Sequence, residues 1–341
     1  MLISWWFFLA AASLSCVLTY CLRRYALALS LMDIPNARSS HSAPTPRGGG
    51  LAIVISYLLG LPVLGLMDIL SWCSISALLG AGILVALVGF LDDQGHIAAR
   101  WRLIAHFCAA AWILAWFGGV FPLALFGTTF AVGWVETGLA AIYLVWLLNL
   151  YNFMDGIDGI ASVEAICVCA GGALLYILSG YPALAAVPLL LAASVAGFLF
   201  WNFPPAQIFM GDVGSGFLGI ILGALSLQAG WLFPEFFWSW IIMLGVFICD
   251  ATFTLIRRLL RGDKIYEAHR SHAYQYAARQ FGRHLPVTLT VGAINLIWLL
   301  PLSLLVGFKK IDILVGIIIS YAPLVLLMVK YRAGELEVKS S

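Results

Sequence analysis

Apolar runs of about 20 residues, each long enough to cross a bilayer as a helix, follow one another along almost the whole chain. They fall near residues 2–22, 49–67, 73–91, 103–119, 136–152, 159–179, 182–201, 213–230, 234–256, 287–307 and 311–329. In lipid each backbone N–H and C=O must be satisfied within its own segment, so such runs form helices. Composition agrees: 63% of the 341 residues are apolar, only 10% are charged, and the mean hydropathy is +1.01. A soluble protein of this size cannot hide so much apolar surface. A soluble globular fold, a disordered chain and a nucleic-acid binder are therefore excluded. The expectation is an all-α integral membrane protein, residues 1–341 forming one bundle of about eleven transmembrane helices.

Several local features refine this reading. Residues 1–22 end at Arg23-Arg24, with no basic residue before the apolar run and no small-x-small cleavage site after it. They read as a retained first span. Phe121-Pro122 and Gly127-Thr128-Thr129 suggest an ordered external loop or short hairpin within 120–135. The seven cysteines, odd in number and without framework spacing, read as small buried hydrophobes.

Orientation follows from the basic residues. With eleven spans and the N-terminus outside, sixteen of the eighteen Lys and Arg lie on the inner side; only Lys309 and Lys310 lie outside. The protein is then expected to be multi-pass, with its N-terminus on the outer side of the membrane. Its cytoplasmic loops are 23–48, 92–102, 152–158, 202–212 and 257–286. Every distinctive polar cluster falls on these loops or at the adjoining helix ends, so function is expected on the cytoplasmic face.

The first cluster is Asp33-Ile-Pro-Asn-Ala-Arg38-Ser-Ser-His41, followed by Pro44-Thr-Pro-Arg47-Gly-Gly-Gly50. Its prolines and glycines prevent a helix and let the backbone approach a ligand closely. Arg38, His41 and Arg47 suit an anion. The second is Asp92-Asp93, two adjacent carboxylates that repel unless a cation or shared proton intervenes, and that suit metal binding or proton abstraction. The third, Asn152-Phe-Met-Asp155-Gly-Ile-Asp158-Gly159, places two acids three residues apart, with glycines that favour a tight turn. In the fourth, Asn202 to Gly216, the run Phe209-Met-Gly-Asp212-Val-Gly-Ser reads as a helix N-terminus beside a phosphate or metal. The fifth is the 257–286 loop, with seven basic residues and three histidines, His269 and His272 one helical turn apart.

Charge links these clusters. Residues 103–256 contain no Lys or Arg but seven carboxylates, among them Asp155, Asp158, Glu164, Asp212 and Asp250. Acids near a low-dielectric region need a partner or become neutral. A divalent cation is the economical partner, and oxygen-only ligands select Mg²⁺ or Mn²⁺. Carboxylates with Mg²⁺, backbone-exposing glycines and a basic loop at one membrane face fit phosphoryl transfer to or from a lipid.

The ordered set of these motifs, closing with His269-Arg270-Ser-His272, resembles the polyprenyl-phosphate N-acetylhexosamine-1-phosphate transferases. This is glycosyltransferase family 4, related to the phospho-MurNAc-pentapeptide translocase. The likeness runs from about residue 30 to 275. It implies that undecaprenyl phosphate attacks the β-phosphorus of a UDP-N-acetyl amino sugar, with Mg²⁺ on the diphosphate, releasing UMP. Carried over by position, Asp212 looks like the metal ligand, and Asp92 like the catalytic group that deprotonates or orients the lipid phosphate, supported by Asp93. Asn152, Asp155 and Asp158 would line the donor pocket, Asp158 near the uracil with Asn202 and Phe209. His269, Arg270 and His272, with Arg47, would contact the donor's phosphates or sugar. The resemblance leaves open direct transfer or an aspartyl-phosphate route, and is compatible with a homodimer. Relatives in peptidoglycan or enterobacterial-antigen synthesis carry denser histidine motifs; His-Arg-Ser-His resembles the branch that starts O-antigen with 6-deoxy amino sugars. The rival reading is a cation-coupled transporter, suggested by Asp250 and Glu164 within spans. It expects midplane acids on broken helices within inverted repeats, and no repeat is visible.

Overall fold

The computed structural model describes residues 5–29, 32–34, 44–95, 97–125, 128–130, 133–263 and 270–335. Helix α1 (Trp5–Ala28) leads to a small antiparallel ribbon of β1 (Met32–Asp33) and β2 (Thr45–Pro46). Then come α2 (Leu51–Leu66), α3 (Trp72–Gln94) and α4 (Ala99–Phe117). A second ribbon, β3 (Leu123–Leu125) with β4 (Thr128–Phe130), precedes α5 (Trp134–Met154), α6 (Ile160–Leu178), α7 (Ala186–Asn202) and α8 (Asp212–Leu232). The chain continues through α9 (Pro234–Met243), α10 (Gly245–Arg261), α11 (Ala273–Phe281) and α12 (Leu285–Ala293). A π-helical turn, Ile294–Leu299, joins α12 to α13 (Leu300–Gly307), and α14 (Ile313–Lys330) follows.

The protein is an all-α membrane protein, and each of the eleven apolar runs is helical. By length and apolarity, however, seven segments among the described residues can cross a membrane alone: α1, α3, α5, α6, α8, α12 through α13, and α14. The pair α9 and α10, bent by 71° at the break between them, makes at most an eighth. Helices α2 and α7 are apolar but only 16 and 17 residues long. The first turn of α4 carries Arg100 and Arg102, which dilutes its apolar character.

Helix α8 is the axis of the bundle. Seventeen of its 21 residues are buried, and α2, α3, α5 and α9 pack around it. Small residues make this possible. A Cβ added at Gly219 would lie 2.6 Å from the Cα of Leu148, so α8 and α5 touch main chain to main chain. Close approach of this kind is how helices gain van der Waals contact in lipid, which offers no hydrophobic drive between them. Around the rim, Leu66, Ile297 and Leu326 are 76%, 75% and 71% exposed, as lipid-facing side chains should be. The expected short hairpin at 120–135 is present as β3–β4, anchored by Phe121, which is buried against Phe237 at a ring separation of 5.3 Å.

Two glycines of one contact region should therefore respond oppositely to alanine. Gly219→Ala overpacks the α5–α8 seam and should lower stability by about 1–3 kcal/mol. Gly138→Ala, on α5 with nothing within 4 Å of its added Cβ, should instead gain about 0.5–1 kcal/mol from helix propensity. Thermal unfolding of both variants in detergent checks the pair; a melting temperature unchanged in Gly219→Ala would contradict this packing.

Candidate active site

The site begins where α3 meets the first turn of α8. A Cβ at Gly89 would lie 2.6 Å from the carbonyl carbon of Asp212, so only glycine lets the end of α3 press on that turn. This contact brings Asp93 to the α8 N-terminus. The Asp212 N–H donates to Asp93 Oδ1 at 3.0 Å and the Val213 N–H to Oδ2 at 3.2 Å. The residue preceding the helix is Gly211, at φ 75°, which has no side chain to cap it. Asp93 thus caps a helix from outside its own element, and its charge suits the positive end of the helix dipole.

Arg47 closes the other side of Asp93 as an ion pair. Burial alone would lower its pKa, but Asp93, with smaller contributions from Asp212 and Asp33, holds it above the usual guanidinium value. Arg47 is positioned by main-chain bonds along the 209–210 segment. The Phe209 N–H donates to Pro46 O at 2.8 Å, Gly49 N–H to Phe209 O at 2.9 Å, and Gly50 N–H to Met210 O at 2.9 Å. Two of the three glycines here serve packing: a Cβ on Gly50 would collide with Gly214 and one on Gly49 with Phe198, whereas Gly48, at φ 91°, has open space around it. Arg38 and His41 lie outside the described residues.

Asp92 turns away from Asp93. Its Oδ2 meets Arg102 Nη1 at 2.5 Å and its Oδ1 accepts the Ile97 N–H at 2.7 Å. The same Arg102 nitrogen lies 3.5 Å from Asp212 Oδ2, so one guanidinium bridges the two acids. The repulsion expected between adjacent carboxylates is relieved by giving each its own arginine.

Beyond Asp212 opens a cavity of about 230 Å³. Seven expected residues line it: Arg47, Asn152, Asp155, Asp158, Asn202, Phe209 and Asp212. Asn152 Nδ2 donates to Ser215 Oγ at 3.1 Å, tying the end of α5 to α8. Asp158 Oδ2 accepts the Ala206 N–H at 3.0 Å, and its Oδ1 lies 3.1 Å from His284 Nδ1. Asn202, 3% exposed, accepts the Gly159 N–H and donates to Ile208 O, so it braces the wall as well as lining it. The Asp155 N–H donates to Asn152 O at 3.4 Å, but its carboxylate makes no hydrogen bond or ion pair among the described residues. Burial, then the charges of Asp212, Asp93 and Asp158, push its pKa up to about 7.

Of the expected histidine motif, Arg270 and His272 are described, and neither lines the cavity. His269 lies outside the described residues. Arg270 is half-buried, its carbonyl receiving Arg279 Nη1 at 3.2 Å, and it is not in the cavity wall. His272 is 3% exposed, with Nδ1 3.2 Å from Asp250 Oδ1. Direct contact between His272 and the donor therefore gives way to a supporting role. Asp250, 1% exposed, also accepts the Ala273 and Tyr274 N–H groups, both at 3.0 Å, and so caps α11. It does not pair with Arg257, which binds Ala333 O and Glu335.

Cavity residues missed from sequence are Gln275, the N-cap partner of His272, and His284, at the start of α12. Ser215 belongs to the expected helix N-terminus of the site, whereas Asp33 and Arg102, on the loops 23–48 and 92–102, have no expected role there. Only Arg102, one turn into α4 and beside the Asp92 loop, carried a usable signal.

Among the described residues no three His, Cys, Asp or Glu side chains converge to hold a metal by themselves. The cavity instead offers Asp155, Asp158 and Asp212 with the side-chain oxygens of Asn152 and Ser215. Such an oxygen-only set, with one acid short of compensating charge, fits a small hard cation that completes its shell with water and phosphate oxygens.

Comparison with known proteins bears on this geometry. The family description "Glycosyl transferase family 4" matches residues 75–230, from α3 through nearly all of α8. The chain is 33% identical over 264 residues to the probable undecaprenyl-phosphate N-acetylglucosaminyl 1-phosphate transferase of Bacillus subtilis, covering 76% of this chain and 72% of that protein. It is 33% identical over 245 residues to the decaprenyl-phosphate N-acetylglucosaminephosphotransferase of Mycolicibacterium smegmatis, covering 65% and 59%. It is 28% identical over 242 residues to the phospho-N-acetylmuramoyl-pentapeptide-transferase of Streptococcus pneumoniae, covering 66% and 71%. The apolar bundle, the acid-lined cavity at the start of α8 and these likenesses agree: the chain belongs to glycosyl transferase family 4.

Proposed function

We propose that the protein transfers an N-acetylamino-sugar 1-phosphate from a UDP-sugar to undecaprenyl phosphate, releasing UMP, and so starts a lipid-linked glycan of the O-antigen type. The observation that carries this reading is the cavity at one bundle end, lined by four acids (Asp33, Asp155, Asp158 and Asp212) and bordered by two arginine–aspartate pairs. A nucleotide diphosphate with its divalent ion matches that charge pattern. The single-ended crowding of acids disfavours the transporter reading, which needs a pathway through the midplane. The distribution of basic residues along the sequence supports a cytoplasmic position for this end.

Asp212, with Asp155 and Asp158 lining the same cavity, would hold Mg²⁺, which would supply charge neutralisation for the donor's phosphate oxygens. The chain's own residues do the rest. Arg47, beside the cavity, meets donor phosphate. Asp158, Asn202, Phe209 and His284 form the wall suited to the nucleotide, and Gln275 presents an amide there. On the α3–α4 side, Arg102 meets the lipid phosphate. An oxygen of that phosphate bonds to the donor β-phosphorus, and the bond from that phosphorus to the bridging oxygen breaks, leaving with UMP. Asp92 is bonded to Arg102 and to an N–H, which makes it a weak base. The lipid phosphate is already largely ionised at neutral pH. Asp92 therefore orients Arg102 rather than taking a proton.

The direct test is a transfer assay with purified protein, undecaprenyl phosphate, Mg²⁺ and a panel of labelled UDP-amino sugars. Lipid-linked product with UMP release is expected; no transfer from any donor would refute the reading. Asp212→Asn should lose at least about 100-fold in turnover and recover partly at raised Mg²⁺. Asp92→Asn and Arg102→Gln should each lower kcat by about 10²–10³, with little change in pH profile, and their double variant should be no worse than the worse single one. Additive losses would show that they act apart.

Asp155 gives a pH signature. Its pKa near 7 means that the folded chain holds a proton the unfolded chain has released, so without metal stability falls as pH rises from about 4 to 7. Metal-supported donor binding should strengthen over the same upper range, because the ionised form is needed. Calorimetric titration of donor with Mg²⁺ from pH 6 to 8 should show this trend in the wild type and a weaker one in Asp155→Asn, where the Asp212 carboxylate remains.

A further inference from the structure

A second polar cavity, of about 610 Å³, lies between α11 and the end of α14 and shares no residue with the first. Among the described residues its wall is Tyr276, Arg279, Gln280, Lys330 and Arg332, none of them an acid. The guanidinium carbons of Arg279 and Arg332 lie 5.6 and 5.8 Å from the Tyr276 ring centre. Stacking of this kind holds cations in place and partly dry. Glu335, 3.9 Å from Arg332 Nε, is bonded to Arg257 at 2.8 Å.

The position of this cavity identifies its occupant. Lys330 follows Leu326 by one helical turn on the same face of α14, and Leu326 and Val329 are 71% and 56% exposed. The cations therefore begin where the lipid-facing stripe stops. Lys330 Nζ also sits 5.6 Å from the Tyr331 ring centre. Basic and tyrosine side chains at a helix end are the groups that meet phospholipid headgroups. Free phosphate would satisfy the cations but leave the adjoining apolar stripe without a partner.

We propose that this cavity binds the phosphate of an anionic glycerophospholipid, whose acyl chains lie along Leu326 and Val329. The bound lipid is distinct from the acceptor, whose phosphate belongs to the Arg102 side. It abuts the donor site, because α11 presents Gln275 to one cavity and Tyr276 and Arg279 to the other.

Native mass spectrometry of the purified full-length protein, titrated with phosphatidylglycerol or phosphatidylcholine of equal acyl length, tests this. Wild type should retain phosphatidylglycerol preferentially. Lys330→Gln with Arg332→Gln should weaken that retention about tenfold and leave phosphatidylcholine unchanged. The charge-conserving pair Lys330→Arg with Arg332→Lys should restore it, and Lys309→Gln with Lys310→Gln, at the other bundle end, should not alter it. The proposal fails if wild type shows no preference, if the glutamine pair retains phosphatidylglycerol as wild type does, or if millimolar inorganic phosphate displaces the lipid completely. Should the glutamine pair not fold, the wild-type preference and the phosphate competition still decide.

Discussion

The first turn of α8 cannot satisfy itself, and the site is organised around that deficiency. A buried helix N-terminus needs acceptors for its leading N–H groups. Here glycines precede and follow Asp212, and none carries a cap. Asp93 supplies both acceptors from α3, and its charge in turn attracts Arg47, which draws the 44–50 segment alongside Met210. One carboxylate therefore joins three distant stretches of chain. With Asp93 committed to this task, Asp92 is left to Arg102, and Asp212 stands at the helix start facing the cavity.

Much of the fold was legible because lipid imposes so simple a rule. Runs of apolar residues had to be helices, and the Gly-Thr turn between Phe121 and Glu136 had to interrupt them. Less legible was how each run meets the bilayer. Nothing around Leu244 announces a 71° bend, since neither Met243 nor Gly245 would stop a helix in lipid. Helix α7 stops where Pro204-Pro205 follow it, while Gly50 and Asn202, at the helix ends nearest the cavity, bond to the main chain at Met210 and Ile208.

In the site, residue types were readable but partners were not. Asp155, Asp158 and Asp212 stood out because no cation accompanied them along the chain, and their cavity is indeed rich in acid. Asp92 and Asp93 looked equivalent, yet one caps a helix and the other holds an arginine. Asp250 and His272 looked like a pathway acid and a ligand contact, and together they fasten the start of α11. Gln275 and His284 escaped notice because their neighbourhood exists only after α11 and α12 pack against the 156–158 turn.

The seams at Gly89 with Asp212, and at Gly50 with Gly214, are contacts of main chain with main chain. Geometry held this way does not depend on which side chains fill the surrounding core or face the lipid. Lineages of this fold can therefore change their outer surface to match thicker, thinner or differently charged membranes while inheriting the reacting end intact. Divergence should accumulate on the rim of the bundle and be nearly silent at its axis.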